Sequence, residues 1–218
     1  MKLKNKPTAS GNDSFQQPPA GKALLILRGF ADIGLQPGGQ FDPSHQVLLR
    51  WELHNRKGPM VDGEGRIYTI NKSFSATVRG DKSNLAKCLR AHGIQIGVNE
   101  ETDSREWLGC AAWAVIQTAI SKKKQKEYSF IANDGFSLFD PEVDGMALPD
   151  PVLPEDHWEP DDQTQAPLWA HYWVDEALDA TNEYGSAYKP PKDSSDKKEV
   201  VTSPPSDEAD GSDDKIPF

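Results

Sequence analysis

Apolar and polar residues alternate along several short stretches of the chain, and this pattern predicts β-strands. The clearest stretch is His45–His54, in which Val47, Leu49, Trp51 and Leu53 are separated by single, mostly polar residues. A period of two places the four apolar side chains on one face of a strand and leaves the other face for polar contacts. The pattern therefore predicts a half-buried strand.

Comparable stretches predict four more strands, which are separated by loops that contain Gly and Pro. They cover residues 22–33, 66–78, 108–120 and 127–131. The stretch 66–78 also fits one long bent strand, and the alanine content of 108–120 also permits a helix. Together with His45–His54, these stretches give about five strands.

A helix is predicted between the third and the fourth strand. Asp81 is a candidate N-cap, and Gly93 supplies a C-terminal stop. Between them, Leu85, Cys88 and Leu89 follow at helical spacing. Five short strands with one helix after the third is the order of an oligonucleotide-binding (OB) barrel. The predicted fold class is therefore all-β or α+β, with an OB-like five-stranded barrel.

Composition divides the chain into four predicted segments. Residues 1–20 are expected to form a disordered arm, and residues 21–148 hold the OB-like domain. Residues 149–187 form a Pro- and Trp-rich extension, in which a short helix is predicted at about 170–183. Residues 188–218 are expected to be a disordered acidic tail. The helix of the extension either docks onto the barrel and completes its core or forms a separate partner site.

The formal net charge of −10 is divided unevenly along the chain. Residues 1–150 carry 19 Lys and Arg against 17 Asp and Glu, whereas residues 151–218 carry 5 against 17. One interpretation is a mildly basic body that meets phosphates, joined to an acidic tail that does not. The other is a solubilising tail on an ordinary domain.

The composition also gives an expected location. No run of residues approaches the roughly 18 apolar residues that a membrane helix needs. The basic N-terminus has no apolar stretch behind it, so no secretory signal is expected. We therefore expect a cytoplasmic protein without a membrane partner, in which Cys88 and Cys110 are buried thiols.

No set of catalytic or cofactor-binding residues is recognisable. Asp140–Gly145 resembles the beginning of a calcium loop, but the twelfth position, which must supply a carboxylate, is Pro151. The five histidines lack zinc-ligand spacing, and no Gly-Lys-Ser/Thr follows the glycine-rich loop. The sequence therefore predicts a binding protein rather than an enzyme, without a cofactor or a metal.

Basic and aromatic residues are interleaved on the predicted strands, as in proteins that combine a positive groove with rings for base stacking. Neighbouring strand residues point to opposite faces, so Arg50 and Trp51 cannot both face DNA, and Trp51 is assigned to the core. Lys72 and Phe74 share a face. The candidate residues for single-stranded DNA are Arg28, Phe30, Arg50, Arg66, Tyr68, Lys72, Phe74, Arg79 and Lys82.

The last residues of the chain form a candidate partner-binding tip. Phe218 combines an apolar ring with a free carboxylate, and Ile216 adds a second apolar anchor. Pro217 lowers the entropy that is lost on binding, and the aspartates favour association with a basic surface. The candidate tip residues are Asp210, Asp213, Asp214, Ile216, Pro217 and Phe218.

The sequence Asp213-Asp-Lys-Ile-Pro-Phe218 resembles the tip of bacterial single-stranded DNA-binding proteins, which end in Asp-Asp-Asp-Ile-Pro-Phe; only Lys215 departs from it. The body is similar to bacteriophage single-stranded DNA-binding proteins with an OB-type fold. The similarity lies in the short stretches 48–52, 68–75, 82–85 and 108–110. It implies an OB fold, work on a phage genome in the bacterial cytoplasm, and recruitment of partners through the tip.

The predicted function is sequence-tolerant binding of single-stranded DNA in phage replication, recombination and repair. The tip would recruit a phage or host polymerase, helicase or nuclease. One alternative is a protein without DNA binding that copies the host tip to capture host replication and repair proteins. A metal-dependent nuclease is a third hypothesis. Monomer and dimer are both open.

Overall fold

The computed structural model describes residues 17–37, 42–78, 80, 82–96, 102–121, 125–160 and 166–177. The strands are β1 (Gly21–Gln36), β2 (Ser44–Asn55), β3 (Gly58–Pro59), β4 (Thr69–Ser75), β5 (Ala111–Ile120), β6 (Glu127–Leu138) and β7 (Asp156–Trp158). The helices are α1 (Asn84–Ala91), α2 (Pro141–Asp144) and α3 (His171–Glu176), and a 3₁₀ turn covers Ser104–Trp107. The prediction of a β-rich fold is confirmed.

The strands form one mainly antiparallel sheet around the long strand β1. The hydrogen-bonded order is β3–β2–β1–β5–β6; β4 also pairs with β2, and β7 pairs with β1 in parallel. Strand β1 is buried along almost its whole length because β2 and β5 flank it and other segments cover its outer face. This burial on both faces explains why residues 23–27 of β1 form a continuous apolar run rather than an alternation.

The main core lies on the inner face of the sheet. The alternating residues of β2 that were predicted to be buried, Val47, Leu49, Trp51 and Leu53, all belong to it. Helix α1 contributes further apolar side chains from its inward face. The chain therefore closes its core as the period-two pattern of β2 and the helical spacing of α1 predict.

Helix α1 begins and ends close to its predicted bounds, but with a different N-cap. The Ser83 side chain accepts a hydrogen bond from the backbone N–H of Ala86, whereas the predicted cap, Asp81, lies outside the described residues. At the other end, Gly93 has a φ of 78°, the left-handed conformation that favours glycine after a helix. The predicted stop is thus confirmed.

Strands β4 and β6 differ most in length from their predictions. Strand β4 covers Thr69–Ser75 rather than 66–78. Strand β6 continues to Leu138 instead of ending at residue 131. The turn-like residues before Phe136 are accommodated as an irregularity in the pairing, which jumps from Ile116↔Ile131 to Ala114↔Phe136. Phe136 then packs against the core, which explains why the strand resumes.

The described part of the extension docks onto the sheet. Strand β7 pairs with β1, and Trp158 is fully buried. Ala170 and Val174 pack with Trp158 against the outer faces of β1 and β2. Of the predicted helix at 170–183, α3 covers His171–Glu176, and residues from 178 onward lie outside the described residues. The docking alternative is therefore the one observed. Among the described helices, none has the length and apolar character to cross a membrane.

We expect acid to destabilise the fold through His92, the buried C-cap residue of α1. Burial lowers the pKa of the His92 imidazole from its ordinary 6.5 to about 4. Between these pH values the unfolded chain therefore binds a proton that the folded chain does not. The contribution of His92 to the free energy of unfolding is thus fully present above pH 6.5 and decreases as the pH falls below 6.5. The expected loss between pH 7 and pH 4 is about 2–4 kcal/mol, measured by urea unfolding.

His92→Gln is the matched variant for this prediction, because its amide oxygen can still accept the hydrogen bond that Trp51 Nε1 donates to His92 Nε2 at 3.0 Å. Its free energy of unfolding should depend less on pH than that of the wild type over the same range. An identical dependence in the two proteins would remove His92 as the cause.

Candidate nucleic-acid interface

Two aromatic residues that were predicted to stack on DNA lie in the core. Phe30 is 5% exposed and packs against Trp107, and Phe74 is 4% exposed and packs against Trp51. Their rings have no open face for a base. The prediction for these two residues is corrected accordingly: each shares its strand face with core side chains, and that face points inward.

Arg28 and Arg50 lie under the docked extension, residues 150–160 and 166–177, which we call the strap. Arg28 is 7% exposed, and its guanidinium donates to the Leu153 carbonyl at 2.8 Å and to the Glu155 carboxylate at 3.0 Å. These contacts occupy Arg28. Its predicted role in DNA binding is therefore corrected to holding the strap.

The guanidinium of Arg50 lies 5.8 Å from the centre of the Trp169 ring in the strap. Burial lowers the pKa of this guanidinium, and the nearby Asp156 carboxylate acts in the opposite direction. The ring of Trp169 lies so close to β1 that a Cβ at Gly29 would come within 2.8 Å of it. Arg50 therefore also faces the strap.

The strap is held by a buried carboxylate on β2. Glu52 has no exposed surface and accepts hydrogen bonds from the backbone N–H groups of Val152 (3.1 Å) and Leu153 (2.7 Å). The Nε2 atom of the equally buried His54 lies 2.8 Å from the same carboxylate. A buried carboxylate needs such donors to compensate for lost hydration. The strap and Glu52 thus stabilise each other.

The remaining predicted DNA-binding residues differ in their contacts and burial. Lys72 donates to the carbonyl of Ile131 and so bridges β4 and β6. Arg66 pairs with the carboxylates of Asp62 and Glu64 in the loop before β4. Tyr68 is half-buried against the core, and Lys82 is exposed before α1. Arg79 and the six candidate tip residues lie outside the described residues.

An aromatic pair that the sequence interpretation missed lies on the outer face of the β5–β6 hairpin. Tyr128 and Phe130 are partly exposed, and their ring centres are 5.7 Å apart. The residues between and after them, Ser129 and Ile131, are buried on the other face. The two rings therefore lie next to each other on an outward surface, which an extended strand with a period of two requires.

The partners of this pair on β5 extend the same surface. Phe130 pairs with Gln117, Tyr128 pairs with Ala119, and Val115, two residues before Gln117, is 48% exposed. We call these five residues the hairpin face. The exposed Lys126 stands at the β6 end of the hairpin, where its carbonyl accepts from the Ser121 N–H at 2.9 Å. Partly exposed rings next to cations are the components that sequence-tolerant binding of single strands uses.

A basic recess lies at the end of β5 away from the hairpin loop. It has a volume of about 420 Å³ and is lined by Lys22, Asn55, Arg56, Lys57 and Trp113. The Lys22 ammonium lies 4.4 Å from the centre of the Trp113 ring. Lys22 also pairs across the sheet with Val115 of the hairpin face. The recess and the hairpin face thus adjoin on the outer surface of β5.

The described residues offer no other evident chemistry. No group of three or more His, Cys, Asp or Glu is arranged to hold a metal ion in the described ranges. Burial raises the pKa of the Cys88 and Cys110 thiols, which disfavours the reactive thiolate. Comparison with protein-family models and with curated protein sequences finds no match to this chain.

The hairpin face had a signal in the sequence. Tyr128 and Phe130 are two residues apart and follow a lysine-rich turn, so a strand there places both rings on one face. The sequence interpretation had instead selected basic and aromatic residues on the other strands, such as Lys72 and Phe74, which share a face. The ring of Phe74 points into the core, so that face offers no platform for a base.

Proposed function

We propose that this protein binds single-stranded DNA without strong sequence preference and that bases of the DNA stack on Tyr128 and Phe130. The observation that carries the proposal is the partly exposed ring pair beside the exposed Lys126. Every base has a π-face, so stacking of this kind tolerates any sequence and contributes roughly 1–3 kcal/mol per base.

We also propose that the sheet is an OB barrel. Its five long strands in chain order are β1, β2, β4, β5 and β6, and α1 lies between the third and fourth of them. OB barrels contact oligonucleotides through the face of their second and third strands and through loops that include the one between strands four and five. The strap covers part of the outer face of β2, and we infer that the β5–β6 hairpin is the contact region.

The acidic tail is proposed to recruit partner proteins. The tail combines a net negative charge with Ile216 and Phe218 as apolar anchors. A basic, apolar pocket on a replication or repair protein of phage or host would bind both features. A decoy that captures such proteins without DNA shares this tail but has no need of the hairpin face.

Titration of fluorescently labelled oligo-dT with the full chain, at salt concentrations from 50 to 400 mM, tests the DNA proposal. Single-stranded oligo-dT should bind more tightly than a duplex of equal length, and log Kd should rise linearly with log salt concentration. Equal affinity for both forms, or no dependence on salt, would reject DNA binding and favour the decoy. Magnesium-dependent loss of the oligonucleotide would instead favour the nuclease.

Deletion of residues 210–218 should abolish capture of replication and repair proteins by the immobilised chain, while oligo-dT binding is kept or becomes tighter. Removing the negative charges of the tip lowers repulsion of phosphates, which explains the direction of the second effect. The Phe218→Ala variant separates the apolar anchor from the charge. Unchanged capture of the same proteins by the deletion variant would exclude the tip as the recruiting segment.

A further inference from the structure

The basic recess beside the hairpin face contains groups that suit an anion. Lys22, Arg56 and Lys57 are exposed side chains from two elements, the start of β1 and the turn after β2. The turn is fixed locally, because the Lys57 N–H donates to the Asn55 side-chain oxygen at 2.7 Å. Arg56 is oriented by a hydrogen bond from its Nη1 to the Asp144 carbonyl at 3.2 Å. The fold therefore fixes the turn that carries Lys57 and orients the guanidinium of Arg56.

One carboxylate lies near these cations. The pKa of Asp144 is lowered by the backbone N–H of Asp140, by the Trp113 side chain, and by the charges of Lys22 and Arg56. Asp144 therefore stays ionised and offsets one of the three positive charges. A net charge of about +2 is left for an anionic ligand.

The geometry of β5 relates the recess to the ring pair. Val115, the cross-strand partner of Lys22, is four residues before Ala119, the partner of Tyr128. At about 3.3 Å per residue, the two positions are roughly 13 Å apart along the strand. The exposed Gln117 lies between them on the same face as the exposed Val115, so the described residues of β5 that join the two positions are open to solvent.

We propose that the recess binds phosphate groups of the same DNA strand whose bases stack on Tyr128 and Phe130. This inference rests on the proposed function and adds an anchoring site to it. Arg56 and Lys57 contact the phosphates, and Lys22 contributes charge from its ammonium group over the Trp113 ring. The strand thus crosses the outer face of β5 between a charged anchor and an aromatic platform, outside the area that the strap covers.

The salt dependence of oligo-dT binding tests this proposal through the variant Arg56→Gln with Lys57→Gln. Each phosphate contact on a single strand contributes about −0.7 to the slope of log K against log salt. Loss of two contacts should reduce the slope by about 1.4. The advantage of the wild type over the variant should therefore shrink about sevenfold between 50 and 200 mM salt.

The matched control is Lys87→Gln with Arg90→Gln, which removes one Lys and one Arg from exposed positions of α1. Its slope should equal that of the wild type, and Tyr128→Ala should weaken binding without changing the slope. If the wild type binds oligo-dT but the recess variant keeps its full slope, the recess proposal is overturned and the proposed function stands. If the wild type fails to bind oligo-dT, both are overturned.

Charge reversal, Arg56→Glu with Lys57→Glu, provides a second test of the recess proposal. Repulsion of phosphates should weaken oligo-dT binding further than the glutamine variant does, and added salt should relieve part of this loss. Circular dichroism at 25 °C should match the wild type, because both side chains are exposed. A correctly folded reversal variant with wild-type affinity at 50 mM salt would contradict the proposal.

Discussion

Replacing Tyr128 and Phe130 together with alanine is expected to weaken oligo-dT binding by about 30-fold or more. Each ring that stacks on a base contributes roughly 1–3 kcal/mol, so the loss of two rings costs at least about 2 kcal/mol. The rings are partly exposed on the outer face of the hairpin, and the buried residues Ser129 and Ile131 are left in place. The loss should therefore appear in the affinity, measured by anisotropy titration, rather than in the fold.

The conservative pair Tyr128→Phe with Phe130→Tyr is the control for this prediction. It keeps both rings and exchanges only the position of the hydroxyl group, so its affinity should lie within about threefold of the wild type. Urea unfolding of both variants checks that the sheet is intact. An alanine variant that is folded and binds as tightly as the wild type would exclude the ring pair as the DNA platform.

Replacing Glu52 with alanine is expected to destabilise the protein by about 3–5 kcal/mol and to release the strap. Its buried carboxylate accepts hydrogen bonds from the backbone N–H groups of Val152 and Leu153 and lies beside His54. Removal of one member of such a buried charged network leaves the other buried polar groups without the hydrogen bonds that compensate for their lost hydration. Urea unfolding measures the loss, and limited proteolysis should show faster cleavage within 150–160.

The strap also provides a control for this prediction. Glu155→Ala removes a carboxylate that contacts buried Arg28 but is itself 55% exposed. Arg28 keeps its hydrogen bond to the Leu153 carbonyl in this variant, and an exposed partner contributes little, so a loss below about 1 kcal/mol is expected. Similar losses for Glu52→Ala and Glu155→Ala would contradict the proposed role of Glu52 as the main anchor of the strap.

The strands were predictable because the order of apolar and polar residues within each strand indicates which of its faces is buried. In β2, the alternation of Val47, Leu49 and Trp51 determines which face is buried, and no distant contact is needed to infer it. The end of β6 was not predictable in this way. The residues around Gly135 favour a turn, and the strand continues through long-range contacts: pairing with β5 and the packing of Phe136 against Trp51 in the core.

The site was less predictable because it depends on what covers each surface. Arg28 and Arg50 have the residue type expected for DNA contacts, but residues more than 100 positions later fold over them. Glu52 looks like an ordinary polar strand residue, and its role as an anchor appears only when Val152 and Leu153 are docked. Sequence periodicity gives the faces of a strand, whereas long-range contacts decide which face stays open.

Cross-linking gives the most direct test of the claim that unpaired DNA lies on the hairpin face. Oligo-dT that contains 5-iododeoxyuridine is bound to the full chain, irradiated, and the linked peptides are identified by mass spectrometry. We predict links at Tyr128 and Phe130 that unlabelled oligo-dT suppresses and duplex DNA does not. Links confined to the strap or to Tyr68, or equal suppression by duplex, would contradict the account.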